Sequence, residues 1–126
     1  MQTLSLFNFN GHEVRVVTID GTAWWVAVDV CRALGLTTAG GATRHLTNLN
    51  QDEVGRWRPT AGKYGRRPNA TISESGLYKL IMRSDKPEAR AFQDWVTRVV
   101  LPAIRKDGAY IMGEEKFATG EMSADG

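Results

Sequence analysis

Val14-Arg15-Val16-Val17-Thr18-Ile19-Asp20-Gly21-Thr22-Ala23-Trp24-Trp25-Val26-Ala27-Val28, residues 14–28, is the stretch whose reading sets the fold. Val14–Ile19 is a β-branched run, and Asp20-Gly21 is a dipeptide suited to the positive φ angles of a type I′ hairpin turn. The chain beyond it alternates, with Trp24, Val26 and Val28 on one face and Trp25 and Ala27 on the other. Working outward, Leu4–Phe9 is apolar and aromatic and ends at Asn10-Gly11, a second turn of the same chemistry. Two such turns between three β-rich runs predict an antiparallel meander over the first 28 residues.

Downstream the period changes. Asp29 is placed to cap a short helix, Val30–Leu34, that Gly35 terminates. After a Thr- and Gly-rich loop, Gly35–Gly41, a second short helix is expected over Ala42–Leu49. Val54–Arg58 and Ala70–Ser73 read as the arms of a long hairpin joined through Pro59, Gly62, Gly65 and Pro68. Leu77, Leu80 and Ile81 then have helical spacing from about Glu74, and Asp85 followed by Glu88 reads as a capping box. Phe92, Trp95, Val96, Val99 and Val100 form one apolar helical face. Pro102 lacks an amide proton, which predicts a bend or restart near Leu101, with Gly108 closing a final turn, Ala103–Asp107. The expected class is α+β: an N-terminal antiparallel β-meander and a long β-hairpin packed with several short-to-medium α-helices. One domain is expected over residues 1–112, with a disordered acidic tail or linker over 113–126.

The chain has 126 residues, 42% of them hydrophobic and 24% charged, which suits one soluble globular domain with a real core. Its single cysteine, Cys31, has no internal disulfide partner and fits a reducing compartment. The first residues do not form a secretory signal, and no apolar run approaches the roughly 20 residues that span a bilayer. A cytoplasmic protein, in a bacterial host, is expected. The net charge of +2 hides an uneven distribution. Residues 114–126 carry four acids and one base, leaving 15 bases against 10 acids in residues 1–113. Between Val54 and Arg67 there are five bases and no acid.

Catalytic chemistry finds little footing. His12 and His45 lie 33 positions apart, outside any paired metal-ligand spacing. His12 reads as the solvated flank of a turn, and His45, beside Arg44, as a polar or phosphate-facing residue. A phosphate-cradling loop at Ala61-Gly62-Lys63 fails twice: Trp57 stands where a glycine is needed, and Tyr64 where a hydroxyl is needed. Helix initiation accounts for Ser73-Glu74-Ser75-Gly76 without a nucleophile, nothing in the spacing pairs Glu74 with Asp94, and Cys31 reads as a small core residue. No enzyme activity, cofactor or metal is expected.

Arg56-Trp57-Arg58 carries a different message. On a strand, period-two alternation sends both arginines to one face and Trp57 to the other. One reading is a Trp anchored in the core between two solvated arginines; the other is a ribbon whose outer face meets a polyanion. Lys63, Arg66 and Arg67 follow on a Gly/Pro-containing tip, a mobile basic loop suited to tracking phosphates. A two-stranded ribbon fits a DNA groove, and arginine forks match guanine edges. Arg32 and Arg44, on the early helices, are placed to flank a backbone. Lys79, Arg83, Arg90 and Arg98 rank below them, because acids one helical turn away compete for them; Asp94 precedes Arg98 by four residues. The candidate DNA-binding set is therefore Arg56, Arg58, Lys63, Arg66, Arg67, Arg44 and Arg32.

Four blocks also carry a family resemblance. Trp24 to Gly35, Ile72 to Ser84 (Ile-Ser-Glu-Ser-Gly-Leu-Tyr-Lys-Leu-Ile-Met-Arg-Ser), Lys86 to Val96 and Val100 to Tyr110 resemble, in order, the blocks of the Bro-N family. They fall within about residues 5–112. The resemblance implies a small α+β domain, found in baculovirus Bro proteins and phage antirepressors and associated with DNA binding. In such proteins a variable second domain usually follows, so this chain is expected to be an excised domain or a short member. Gly76, Leu77, Leu80, Phe92, Trp95, Leu101 and Pro102 identify the family but read as packing, capping and kink residues. The expected partner is double-stranded DNA, contacted by a phage or prophage antirepressor-like transcription regulator. The alternative is a protein-interaction module that binds and inactivates a repressor without DNA, with an exposed Trp24 or Trp25 as its anchor. A homodimer fits either reading, with one face of the meander covered by helices and the other by the second copy.

Overall fold

A computed structural model of the chain describes residues 2–59 and 67–105. The strands are β1 (Gln2–Phe9), β2 (His12–Ile19), β3 (Thr22–Val26), β4 (Val54–Trp57) and β5 (Asn69–Ile72). The α-helices are α1 (Ala27–Ala33), α2 (Glu74–Arg83) and α3 (Glu88–Trp95). Two 3-10 turns, Thr43–Leu46 and Gln51–Glu53, precede β4.

The two turns behave as their chemistry dictates. Asn10 and Gly11 have φ of 50° and 88°, and Asp20 and Gly21 have 51° and 84°. These left-handed pairs match the twist of the strands they join. They set the register of β1 on β2, Leu4 opposite Val17, and of β2 on β3, Val17 opposite Trp24.

The meander and the second hairpin form one sheet. β5 pairs with β3 through Trp25 opposite Ile72, and with β4 through Ile72 opposite Val54, giving the antiparallel order β1-β2-β3-β5-β4. The α+β architecture is as expected; β4 stops one residue short of the expected Val54–Arg58 arm, and β5 runs Asn69–Ile72, one residue earlier than the expected Ala70–Ser73. β3 also ends two residues early, because Ala27 and Val28 already belong to α1.

The register separates the two faces of the sheet. Val16, Trp25 and Ile72 lie in one row and are fully buried. Phe9, on the same face, meets Phe92 of α3 edge to face at 5.1 Å between ring centroids. Burying each such side chain contributes about 1.5–3 kcal/mol. The opposite face carries a smaller cluster of Val17, Val26 and Trp57, flanked by Ile19 and Val28.

Helix α1 does not begin at Asp29. It starts at Ala27 behind the extended Val26, with Asp29 buried in its first turn rather than capping it. Its end is as predicted: Gly35 takes φ of +77°, its amide donates to the Arg32 carbonyl, and the Leu36 amide donates to Cys31. The helix expected over Ala42–Leu49 is reduced to the 3-10 turn Thr43–Leu46. Ser73 caps α2, its Oγ accepting from the Gly76 amide at 3.2 Å. Before α3, Ser84 Oγ accepts from the Lys86 amide, so the turn is held one residue ahead of the Asp85 capping box that the sequence suggested.

The chain divides into two units, residues 1–94 and 95–126. In the second, Val96–Val100 is π-helical and residues 101–105 are α-helical, so the helix type changes at Leu101, where a bend or restart was expected. The Leu101 amide donates to Val96, five residues back, ahead of a proline that has no amide to donate. The extra residue in this turn shifts the faces: Val96 and Val100 are buried but Val99 is 49% exposed. The expected last turn after Arg105, its Gly108 cap and the tail 113–126 lie outside the described residues.

Candidate nucleic-acid interface

The β4–β5 hairpin occupies one edge of the sheet, with β4 outermost. Arg56 sits on β4 opposite Ala70, and Arg58 one residue past the strand end; both are exposed. Trp57 between them is 6% exposed. The alternation read from Arg56-Trp57-Arg58 is therefore present in the fold. Arg67 is exposed where the chain returns, and its carbonyl accepts from Asn69 Nδ2 at 3.3 Å. Asn69 lies opposite Trp57, so Arg56, Arg58 and Arg67 share one end of the hairpin. Lys63 and Arg66 lie outside the described residues.

Trp57 ties this edge to the rest of the sheet. Its ring lies 5.8 Å from the guanidinium of Arg15, a buried arginine on β2. Arg15 in turn is held by Asp29: Nε donates to Oδ2 at 2.7 Å and Nη2 to Oδ1 at 3.0 Å. The Arg15 backbone amide also donates to Oδ2, at 3.0 Å. The β2–β3 pairing runs only as far as Val16 opposite Trp25, so at Arg15 the carboxylate takes the place a strand carbonyl would fill. The same carboxylate approaches Arg32 Nη1 at 3.6 Å, while the Arg32 side chain is 56% exposed. A run of contacts thus joins the exposed Arg32 on α1 to Trp57 between the hairpin arginines. Gly11, His12, Glu13, Arg15, Asp29 and Arg32 line an open cleft of about 320 Å³ beside it.

Arg44 is exposed on its 3-10 turn. His45, on the same turn, makes a polar contact: its Nε2 donates to the Thr37 carbonyl at 2.7 Å. His12 is exposed beside the first turn, as expected.

A second polar centre went unread in the sequence. Glu53 Oε1 accepts from the Asn50 amide and from Lys79 Nζ, both at 2.8 Å, and its Oε2 accepts from Ser75 Oγ at 2.7 Å. Lys79, the Asn50 amide and Ser75 together hold the Glu53 carboxyl at about 2. The Glu53 carbonyl also accepts from the Ser73 amide, and a Cβ on Gly76 would lie 3.2 Å from it. Ser73, Ser75, Gly76 and Lys79 are thereby occupied in seating α2. Ser75 and Lys79 stand four apart on one helical face, a signal that a buried acid facing α2 has two donors to meet.

Burial pushes the Cys31 thiol up to about 11, so at neutral pH it is a protonated core residue. Among the described residues, no three of His, Cys, Asp and Glu gather into a metal-binding group. No helix among them is long and apolar enough to cross a membrane. Of the two tryptophans offered as interface anchors, Trp25 is fully buried. Trp24 is half-buried, its ring lying where a Cβ on Gly55 would approach within 3.4 Å.

Residues 13–102 match the model of the BRO family N-terminal domain, Bro-N. Among similar curated proteins is an uncharacterised protein of Haemophilus influenzae, 38% identical, with the match covering 93% of this chain and 57% of that one. Two Bro-N domain-containing proteins of Invertebrate iridescent virus 6 are 32% and 27% identical, covering 93% and 90% of this chain. The chain spans only 32% and 31% of their lengths. No solved structure matches.

Proposed function

Since the chain belongs to the BRO family, as its N-terminal Bro-N domain, we propose that it is a binding domain, not a catalyst, which engages double-stranded DNA through the β4–β5 hairpin. The observation that carries this reading is the exposed pair Arg56 and Arg58 around a buried Trp57, in a stretch of five bases and no acid. A buried Trp fixes the strand, so the flanking guanidinium groups meet a polyanion from a rigid base, which limits the entropy lost on binding. Arg67 adds charge where the chain returns, and Lys63 and Arg66 add it in sequence. Arg32 and Arg44, both exposed, are the further candidates for contact with the DNA backbone.

On this reading the domain serves an antirepressor-like regulator at DNA, in a bacterial cytoplasm. Capture of a repressor without DNA is the competing reading. Direct binding to duplex DNA, compared between wild type and an Arg56→Ala/Arg58→Ala variant, separates them. The proposal expects binding by wild type and loss of at least tenfold in the variant. Equal affinity of the two proteins contradicts it.

A further inference from the structure

The two edges of the sheet are unlike each other. β4 is four residues long and guarded by the exposed Arg56. β1 is eight residues long, Gln2–Phe9, with neither a charge nor a proline. Short length, charge and proline are the usual devices that keep an edge strand from pairing, and β1 has none of them. Among the described residues no strand lies outside it. Leu4 and Leu6 are 38% and 52% exposed. Both project on the face that carries Val17, Val26 and Trp57, since Leu4 is opposite Val17 and Leu6, two residues along the strand, shares its face.

From this asymmetry we infer that β1 is the dimer edge of the protein, pairing antiparallel with β1 of a second copy. The occupant follows from charge and symmetry. An uncharged strand is complementary to itself, whereas β4 edges brought together would set arginine against arginine. A pairing centred on Ser5 places Leu4 beside Leu6 of the second copy and keeps like faces together across the two-fold axis. The apolar row Leu4–Val17–Trp24 then continues into the second copy, and the five-stranded sheet becomes one of ten strands. The two basic hairpins fall at its opposite ends, suited to two halves of a two-fold site; that last step alone rests on the DNA-binding reading.

Sedimentation of the full chain over a concentration series tests the inference. Wild type should form a dimer, and Leu4→Lys/Leu6→Lys should sediment as a monomer with unchanged circular dichroism and melting, since both positions are exposed. A Ser5→Cys variant should oxidise to a covalent dimer, with wild type, whose only thiol is buried, as the control that does not. A wild-type monomer at every concentration, a dimer untouched by the lysines, or no cross-link through residue 5 each overturns the inference. Arg56→Ala/Arg58→Ala should remain dimeric, so dimer formation and DNA binding fail separately.

Discussion

Asp29 Oδ2 accepts two hydrogen bonds from the same residue, one from the Arg15 backbone amide at 3.0 Å and one from its Nε at 2.7 Å. The carboxylate ends the β2–β3 ladder, neutralises a buried guanidinium and holds it near Trp57. Strand pairing, charge burial and the base of the hairpin therefore meet in one side chain.

Replacing Asp29 with alanine removes the carboxylate that takes two side-chain hydrogen bonds from the buried Arg15. We expect a loss of about 3–5 kcal/mol in denaturant unfolding, the usual cost of removing one member of a buried ion pair. The double change Arg15→Met/Asp29→Leu should recover much of it, because neither charge is then buried. Equal losses in the single and double variants would show that the pair is not the source.

Glu53 gives the fold an acid-sensitive joint. Its carboxyl lies at about 2 in the folded chain against an ordinary value of 4.5. A lowered folded value means that its stabilising effect is complete above about 4.5 and is lost as pH falls toward 2. Glu53→Gln should be less stable at neutral pH, with the difference from wild type shrinking over that window. Urea midpoints at a series of pH values check the sign.

Gly76 separates helix propensity from packing. Alanine in a helix interior normally gains about 1 kcal/mol over glycine. At Gly76 the added Cβ would stand 3.2 Å from both the Glu53 carbonyl oxygen and Leu49 Cδ1. Gly76→Ala should therefore destabilise the protein, as read by its thermal midpoint; stabilisation would mean that the 3-10 turn yields easily.

The hairpin should split stability from binding. Trp57→Ala removes a buried aromatic and should cost about 3–5 kcal/mol. Arg56→Ala/Arg58→Ala changes exposed positions and should alter stability by no more than about 0.5 kcal/mol per residue. Chemical denaturation of both variants checks the contrast.

Local chemistry made much of this fold legible. Asn10-Gly11 and Asp20-Gly21 demand left-handed turns, and the alternation around Trp57 follows from the pleat. Ser73, Gly35 and the spacing of Leu77, Leu80 and Ile81 likewise act within a few residues of themselves. What escaped depends on distance in sequence. Nothing near Asp29 says that it meets Arg15, 14 residues away, although a single arginine inside Val14–Val17 hints at a buried partner. Glu53 reaches Lys79 across 26 residues, and the union of meander and hairpin needs the pairing of Trp25 with Ile72. The short 3-10 turn at Thr43–Leu46 reflects a segment without a clear apolar period. The basic residues of the candidate interface were legible as a charge pattern; their anchoring through Trp57, Arg15 and Asp29 was not.

The central claim, that the hairpin binds DNA through its basic residues, is tested most directly by duplex affinity across a salt series. For about five phosphate contacts, log K should fall with log salt at a slope of about −4 to −5. Replacing Arg56, Arg58, Arg66 and Arg67 together with alanine should weaken binding and flatten that slope. No binding by wild type at low salt, or a slope unchanged by the four substitutions, would contradict the account.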